Sequence, residues 1–436
     1  MGDSSRIFRQ TTIANLLISI FTAVVSIVLS RWLGPAGRGD YVSLFAVYSL
    51  VVNFSLWGLP VYLAKISSKE QELASKNSNN ISEKGLPIIG LCLIGGLLSG
   101  GIFVLLDGIG YQMFADEKYI LIGILFVTTN IGTVLFLSIY LGHKKWIEYN
   151  LFRVVFFPAY MIGLAWIHFY SGIEVLEAFI CMIGVNLSLI LFQTLSCIRR
   201  KQNYLRLDFG YVAKLYRNST PYALNSILAV AFIQSDYLVG GYAVSNEELG
   251  VWAAGKTLAA LVFPITHAIN TLTFAHYIRD ASSIKHEKFY SSVRLTLLIS
   301  GFLFVVLWAC SEFIIGIFFG PKFFSSLTAV AMILVASFAM ITADVVEERL
   351  KGEGNLQPTI LARLMALLSM IFLSLMMSPH YGFVGFGLAY LFAHLFRCVV
   401  LLVTVLKGDG LTVTKIIPSK EDISLVLSLL TKSGRQ

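Results

Sequence analysis

Charge is what this sequence has least of. Lys, Arg, Asp and Glu make up 13% of its 436 residues against 56% hydrophobic residues, and the mean hydropathy is +0.76. A soluble domain carries about 25% charge, so the balance predicts an integral membrane protein. Long polar segments are missing as well: the longest connector between apolar runs is about 20 residues, too short for an inserted soluble domain. Gly250–Thr257 matches G-x-x-x-x-G-K-[ST] letter by letter, but it lies within an apolar run and not in a Gly-rich turn after a strand, so no phosphate-cradling loop is read and ATP is not expected as a direct fuel. There is no G-x-S-x-G elbow and no long outer loop to hold a catalytic centre, so the chain reads as a non-enzyme. The five cysteines (Cys92, Cys181, Cys197, Cys310, Cys398) lie in or beside apolar runs without metal-ligand spacing and read as packed free thiols. His267, His276 and His394 are isolated and read as satisfied membrane histidines. The net charge of +8 is spread over connectors instead of one basic face, which argues against nucleic acid as a partner. At the N-terminus, MGDSSRIFRQ has no small-residue cleavage motif, so the first apolar run is expected to be retained. Arg6 stands where a myristoylation signal wants Ser or Thr.

What is present is a series of twelve apolar runs, at 8–30, 41–64, 86–106, 119–141, 151–170, 175–198, 220–244, 249–275, 289–310, 327–346, 359–378 and 383–406. About 20 such residues at ~1.5 Å each cross ~30 Å of hydrocarbon. With no water at that depth each segment must satisfy its own backbone, and runs this long mean helices, not barrel strands. Placing the N-terminus in the cytoplasm puts 28 of the 33 Lys and Arg residues on the cytoplasmic side, counting those just inside the helix ends. That bias predicts a multi-pass protein of the cytoplasmic (inner) membrane with both termini inside.

The runs also repeat. Gly39-Asp-Tyr41 matches Gly250-Val-Trp252, and Tyr62–Ser68 matches Tyr277–Ser283. Phe114–Tyr119 pairs with Phe319–Phe323, Gly142 and Arg153 with Gly352 and Arg363, and His168–Gly172 with His380–Gly382. The expected architecture is therefore all-α: two six-helix bundles, residues 1–205 and 206–410, followed by a cytoplasmic tail, 411–436. The basic, apolar-interleaved segment 199–217 would join them along the inner membrane surface. An even number of helices per half makes the two bundles relate by an axis along the membrane normal, the arrangement in which transporters bind substrate between bundles and rock them.

Ionisable residues at membrane depth are the candidate site. Asp236, in Gln234-Ser-Asp236, lies ~9 Å before the outer end of the seventh run, and Lys256 lies ~12 Å from the same surface in the eighth. A carboxylate at that depth needs a partner or water, and the tight hairpin between these runs lets the two meet. Arg397 is ~13 Å from the inner end of the twelfth run, deep for snorkelling, whereas Asp344 lies near the inner end of the tenth. Arg31 and Arg38, in Arg31-Trp-Leu-Gly-Pro-Ala-Gly-Arg38-Gly-Asp40, are cations on the side that positive charge avoids. Two readings stay open for them: an ordered Gly-Pro turn with one Arg paired to Asp40, or an anion-binding cavity mouth.

The stretch Leu29-Ser-Arg-Trp-Leu-Gly-Pro-Ala-Gly-Arg-Gly-Asp-Tyr41 resembles the first outer loop of the polysaccharide and O-antigen flippases. These belong to the multidrug/oligosaccharidyl-lipid/polysaccharide (MOP) exporter superfamily. Ser219-Thr-Pro221, Gln234-Ser-Asp236 and Glu248-Leu-Gly-Val-Trp-Ala-Ala-Gly-Lys256 are similar to that family's helix 7–8 signature, although a Lys at position 256 departs from it. The resemblance implies a V-shaped pair of six-helix bundles moving an undecaprenyl-diphosphate-linked oligosaccharide to the outer leaflet. Such a substrate serves O-antigen, capsule or exopolysaccharide synthesis, with a polysaccharide polymerase and a chain-length regulator as further partners. No cofactor is expected, and H⁺ or Na⁺ stays open as a coupling ion. Two other readings compete. A cation-coupled multidrug exporter of the same superfamily would use carboxylates in the N-terminal half, where helices 1, 2, 4, 5 and 6 hold almost none. A membrane-embedded polymerase would need a large outer loop.

Overall fold

The computed structural model describes residues 2–76, 88–108, 116–199, 209–263, 284–353 and 355–409. Among the described residues the regular structure is entirely helical. The α-helices are α1 (Gly2–Leu56), α2 (Leu59–Lys76), α3 (Ile88–Gly108), α4 (Glu117–Gly142), α5 (Trp146–Ser171) and α6 (Val175–Arg199). There follow α7 (Phe209–Ile233), α8 (Ser235–Ala243), α9 (Asn246–Ala259), α10 (Ile284–Phe318), α11 (Ser326–Gly352) and α12 (Gln357–Asp409). Short 3₁₀ turns occupy Ala260–Val262 and Pro321–Phe323.

Where they are described, the twelve apolar runs fall on helix apart from Trp57–Gly58, Gln234 and Val244. Among the described residues eight helices are long and apolar enough to cross a membrane, nine if the bent pair α7–α8 is one span. Two of them are double-length. Residues Gln10–Leu56 of α1 and Gln357–Gly408 of α12 run 47 and 52 residues, each enough for two ~30 Å crossings. Both carry a non-helical glycine and a proline near it: Gly34 directly before Pro35, and Gly382 three residues after Pro379. The proline removes a backbone donor and the glycine takes the positive φ that the turn requires. Large apolar side chains are exposed on the other spanning helices, as at Leu97 on α3, Ile162 on α5 and Phe302 on α10, which suits a surface solvated by lipid. The chain is therefore a multi-pass helical membrane protein. Residues 264–275 of the eighth run, 200–208 of the basic joining segment, Tyr277–Ser283 of the repeat, the tail, His267 and His276 lie outside the described residues.

By contacts the chain forms two compact units. Met1–Leu33 and Asp40–Gln234 form the first; Gly34–Gly39 and Ser235–Gln436 form the second. In the first, α4 is central, touching α2, α3, α5 and α6, and α7 packs on α2 and α3. Its interior is aromatic: Tyr48, fully buried, meets Phe103, Phe126 and Phe179 with ring centroids 5.1–5.5 Å apart. Gly123 leaves the room for it, since a Cβ there would lie 2.7 Å from the Tyr48 ring. In the second unit the hub is α11, packed against α9, α10 and α12, with 67% of its apolar window buried. Small side chains on α11 (Ala329, Ala336, Ala339, Ala343) allow that close approach.

The Gly34–Gly39 corner lies against α9 through reciprocal contacts. A Cβ on Gly39 would collide with the carbonyl of Asn246, and one on Gly250 with the carbonyl of Pro35. Pro35 and Asn246 stand 211 residues apart, as do Gly39 and Gly250.

Candidate functional site

The seventh run breaks at Gln234, between α7 and α8, and α8 starts with Ser235 and Asp236. Helix α9 returns after a turn closed by a capping box: Ser245 Oγ accepts from the Glu248 N–H, and Glu248 Oε2 accepts from the Ser245 N–H at 2.9 Å. This box fixes where α9 begins, and so fixes which of its residues face Asp236. Trp252 and Lys256 are one helical turn apart and share a face.

Both reach the carboxylate. Lys256 Nζ lies 2.8 Å from each oxygen of Asp236, and Trp252 Nε1 donates to Oδ2 at 2.9 Å. Asp236 is wholly buried, whereas the Lys256 side chain keeps 21% exposure. The ammonium also sits 4.3 Å from the Tyr237 ring centroid, in cation–π range. Around the Trp252 indole stand Phe383, Phe386 and Tyr390, edge-on at 5.0–6.0 Å. The carboxylate thus has two donors in a dry aromatic shell, and the ammonium retains one side toward open space. Sequence reasoning allowed Asp236 and Lys256 to meet without deciding that they pair, and it missed Trp252 as a partner. The signal was the i, i+4 spacing of Trp252 and Lys256.

Arg397 is placed elsewhere, in an ion network that joins the C-terminal part of α11 to both halves of α12. Its Nη2 donates to Asp344 Oδ1 at 2.8 Å and to Glu347 Oε2 at 2.5 Å, while Glu347 Oε1 accepts from Arg363. Arg397 and Glu347 are both buried. Arg349 Nε adds a 2.8 Å bond to Glu353 and stacks over Phe289. Asp344, read from sequence as lying near the inner end of its helix, holds an arginine there. His394 stacks near Tyr390, with centroids 4.4 Å apart.

Arg38 is buried in the Gly34–Gly39 corner, within electrostatic range of Tyr237. Arg31 is exposed and belongs to the other unit, beside Trp32, whose ring stacks on His168 at 4.2 Å. The structure therefore brings Asp236 and Lys256 together, sets Arg38 near the neighbouring Tyr237, and leaves Arg31 and Arg397 in separate surroundings. Four of the cysteines (Cys92, Cys181, Cys310 and Cys398) are free thiols.

The whole chain resembles solved transporters. It superposes on the lipid II flippase MurJ in an inward closed conformation with a TM-score of 0.72 and 15% identity, over 93% of this chain and 88% of that one. An inward-facing multidrug resistance MATE family transporter of the MOP superfamily gives 0.66 at 13% identity, over 92% and 95%. A MOP superfamily transporter from Pyrococcus furiosus gives 0.57 at 12% identity, over 93% and 95%. Identities this low establish the fold alone. No curated protein matches the chain by sequence. A family model does match, described as polysaccharide biosynthesis protein, over residues 9–274. That stretch is more than half the chain and takes in Arg31, Arg38, Asp236 and Lys256, so this protein, with its MOP-type fold, belongs to the polysaccharide biosynthesis protein family.

Proposed function

We propose that the protein is a flippase that carries undecaprenyl-diphosphate-linked oligosaccharide repeat units across the cytoplasmic membrane by alternating access. The observation that carries this reading is the polysaccharide biosynthesis family match on a chain with a transporter fold. A lipid-linked polyanion needs cations at depth, a surface open to lipid and no requirement for ATP. Lys256 suits the first need. It is held by Asp236 yet remains partly exposed, and Trp252 gives the carboxylate a second donor when the ammonium turns to an anion. Arg38 and Arg31 are further candidates for the head group. Arg397, enclosed by Asp344 and Glu347, reads as structural. The reciprocal contacts of Gly39 and Gly250 support the internal repeat, and with it the two six-helix halves, 1–205 and 206–410.

The test is deletion of the gene. Lipid-linked repeat units should accumulate on the cytoplasmic leaflet and surface polysaccharide should disappear. Surface glycan that persists while drug sensitivity rises would replace this reading with the amphiphile exporter, to which the MATE-like fold is also suited. Purified protein should transfer no sugar. A pH or Na⁺ gradient that accelerates flipping in vesicles would identify the coupling ion. Orientation is checked with a reporter active only outside the cytoplasm: fused after Gln436 it should be silent, and fused near Asn246 it should be active.

A further inference from the structure

A second chain break stands in the first unit, and a cleft opens beside it. Helix α1 ends and α2 begins at Trp57 and Gly58, both with positive φ, 45° and 75°. The break is pressed onto α7: a Cβ at Gly58 would lie 2.7 Å from the Ala223 nitrogen and 2.8 Å from the Tyr222 carbonyl carbon. Side chains on α7 fasten it. Tyr216 OH donates to the Ser55 carbonyl at 2.8 Å, in the last turn of α1 where carbonyls lack helical partners, and Trp57 Nε1 donates to Thr220 Oγ1 at 3.2 Å.

The cleft, about 230 Å³, is lined by Phe54, Trp57, Leu98, Tyr216, Arg217 and Thr220. Its lining divides by chemistry into apolar residues, Phe54 and Leu98, and polar ones, Arg217 and Thr220. One turn along, Asn218 donates to Tyr62 OH at 2.8 Å and Lys65 Nζ to Tyr222 OH at 3.1 Å, beneath two tyrosine rings 6.4 Å apart. Arg217 and Lys65 are exposed, and no Asp or Glu occurs in residues 54–68, 88–106 or 209–235. The walls therefore hold positive charge that their own stretches of sequence do not compensate. The volume falls below the ~300–1,000 Å³ of sites for drug-sized ligands, so it suits one end of a head group and not an entire repeat unit.

We propose that this cleft is the loading site for the lipid diphosphate head group. Arg217, whose fork matches phosphate oxygens bidentately, and Lys65 hold the diphosphate. Trp57 is the platform for the first sugar ring, and Phe54 with Leu98 receive the first isoprenyl units. The inference rests on the flippase reading and its orientation, which together put the cleft in the inner-leaflet half, where such a substrate is made.

The experiment uses the full chain in lipid nanodiscs with two probes, undecaprenyl diphosphate and undecaprenyl-diphosphate-N-acetylglucosamine. Arg217→Gln should weaken both about tenfold, and Lys65→Gln should weaken both by less. Trp57→Ala should leave the sugar-free lipid unchanged and weaken the sugar-linked one. Arg217→Lys, which keeps the charge, should fall between wild type and Arg217→Gln, and it decides the matter if Arg217→Gln fails to fold. Unchanged affinity in Arg217→Gln, with wild type binding and flipping both lipids, overturns the site and leaves the flippase reading standing. Inorganic pyrophosphate bound as tightly as the lipids, with the same Arg217 dependence, overturns the lipid assignment. Wild type that binds neither lipid but exports a cationic dye overturns the flippase reading itself.

Discussion

The two units bury polar atoms by different chemistry. In the first, the buried contacts join neutral groups: Tyr48 OH donates to the Tyr119 carbonyl at 2.7 Å, and Tyr160 OH to the Ala178 carbonyl at 3.1 Å, among aromatic rings packed face-on and edge-on. In the second, full charges are buried: Asp236, paired with the partly exposed Lys256, and Arg397 and Glu347, paired with each other and with the less buried Asp344 and Arg363. Neutral hydrogen bonds cost little to lose, whereas a stranded ion in a dry interior is expensive. The first unit is thus built to tolerate change at its polar contacts, and the second is not. Ionic interiors also offer something the neutral one lacks, since an ion that can change partner can respond to a charged substrate.

The largest expected effect comes from Glu347. Its carboxylate is shared by Arg363 and Arg397, so Glu347→Gln leaves two guanidinium groups with one acceptor fewer each. Removing one member of a buried ionic set costs roughly 3–5 kcal/mol. We expect the protein to be nearly absent from membranes, as read by immunoblot, with a large fall in Tm for whatever is recovered in detergent. A Glu347→Gln protein of normal abundance and Tm would remove the contrast between the units.

Next in size are Asp236→Asn and Lys256→Met. Lys256 retains 21% exposure, so water softens its loss and the cost to folding is below that at Glu347. Asp236 is wholly buried but keeps the Trp252 donor. Each single change should lower surface polysaccharide strongly and protein level modestly. The double change should restore protein level, because no ion is stranded, while export stays lost, because the cation is gone. Recovery of export by the double mutant would make the pair purely structural.

A smaller effect is expected at the corner. Gly39→Ala and Gly250→Ala each drive a methyl group into a backbone carbonyl, Asn246 in one case and Pro35 in the other. Overpacking of this kind costs typically ~1–3 kcal/mol. If the two contacts are related by the internal repeat, the Tm losses should match. A large loss from one and none from the other would mean that the reciprocity is accidental.

Much of this was legible in the residues. Apolar length alone located all twelve runs, because a bilayer admits few alternatives. Depth and a short hairpin showed that Asp236 and Lys256 could meet, but not that they pair, which the packing of α8 on α9 decides. Arg397 with Asp344 did not follow: they lie 53 residues apart, and only helix packing brings them together. The break at Trp57 was hidden inside the run 41–64, where uninterrupted hydrophobicity outweighed the signal of Gly58 and Pro60. The cleft was illegible for the same reason, because Arg217 reads as one more cytoplasmic cation until α7 is seen against that break.

The smallest expected effect tests the neutral side of the contrast. Tyr48→Phe keeps the ring, so the contacts with Phe103, Phe126 and Phe179 survive, and removes one hydroxyl. What is lost is its hydrogen bond to the Tyr119 carbonyl, in the N-terminal turn of α4. A neutral hydrogen bond of this kind contributes about 1 kcal/mol. The carbonyl it leaves belongs to the first turn of α4 and can accept from its own helix. The expected result is near-normal protein in the membrane, a small drop in Tm and unchanged surface polysaccharide. A loss as large as that of Glu347→Gln would mean that the first unit depends on its polar contacts as heavily as the second, and that burying charge is not what sets the two apart.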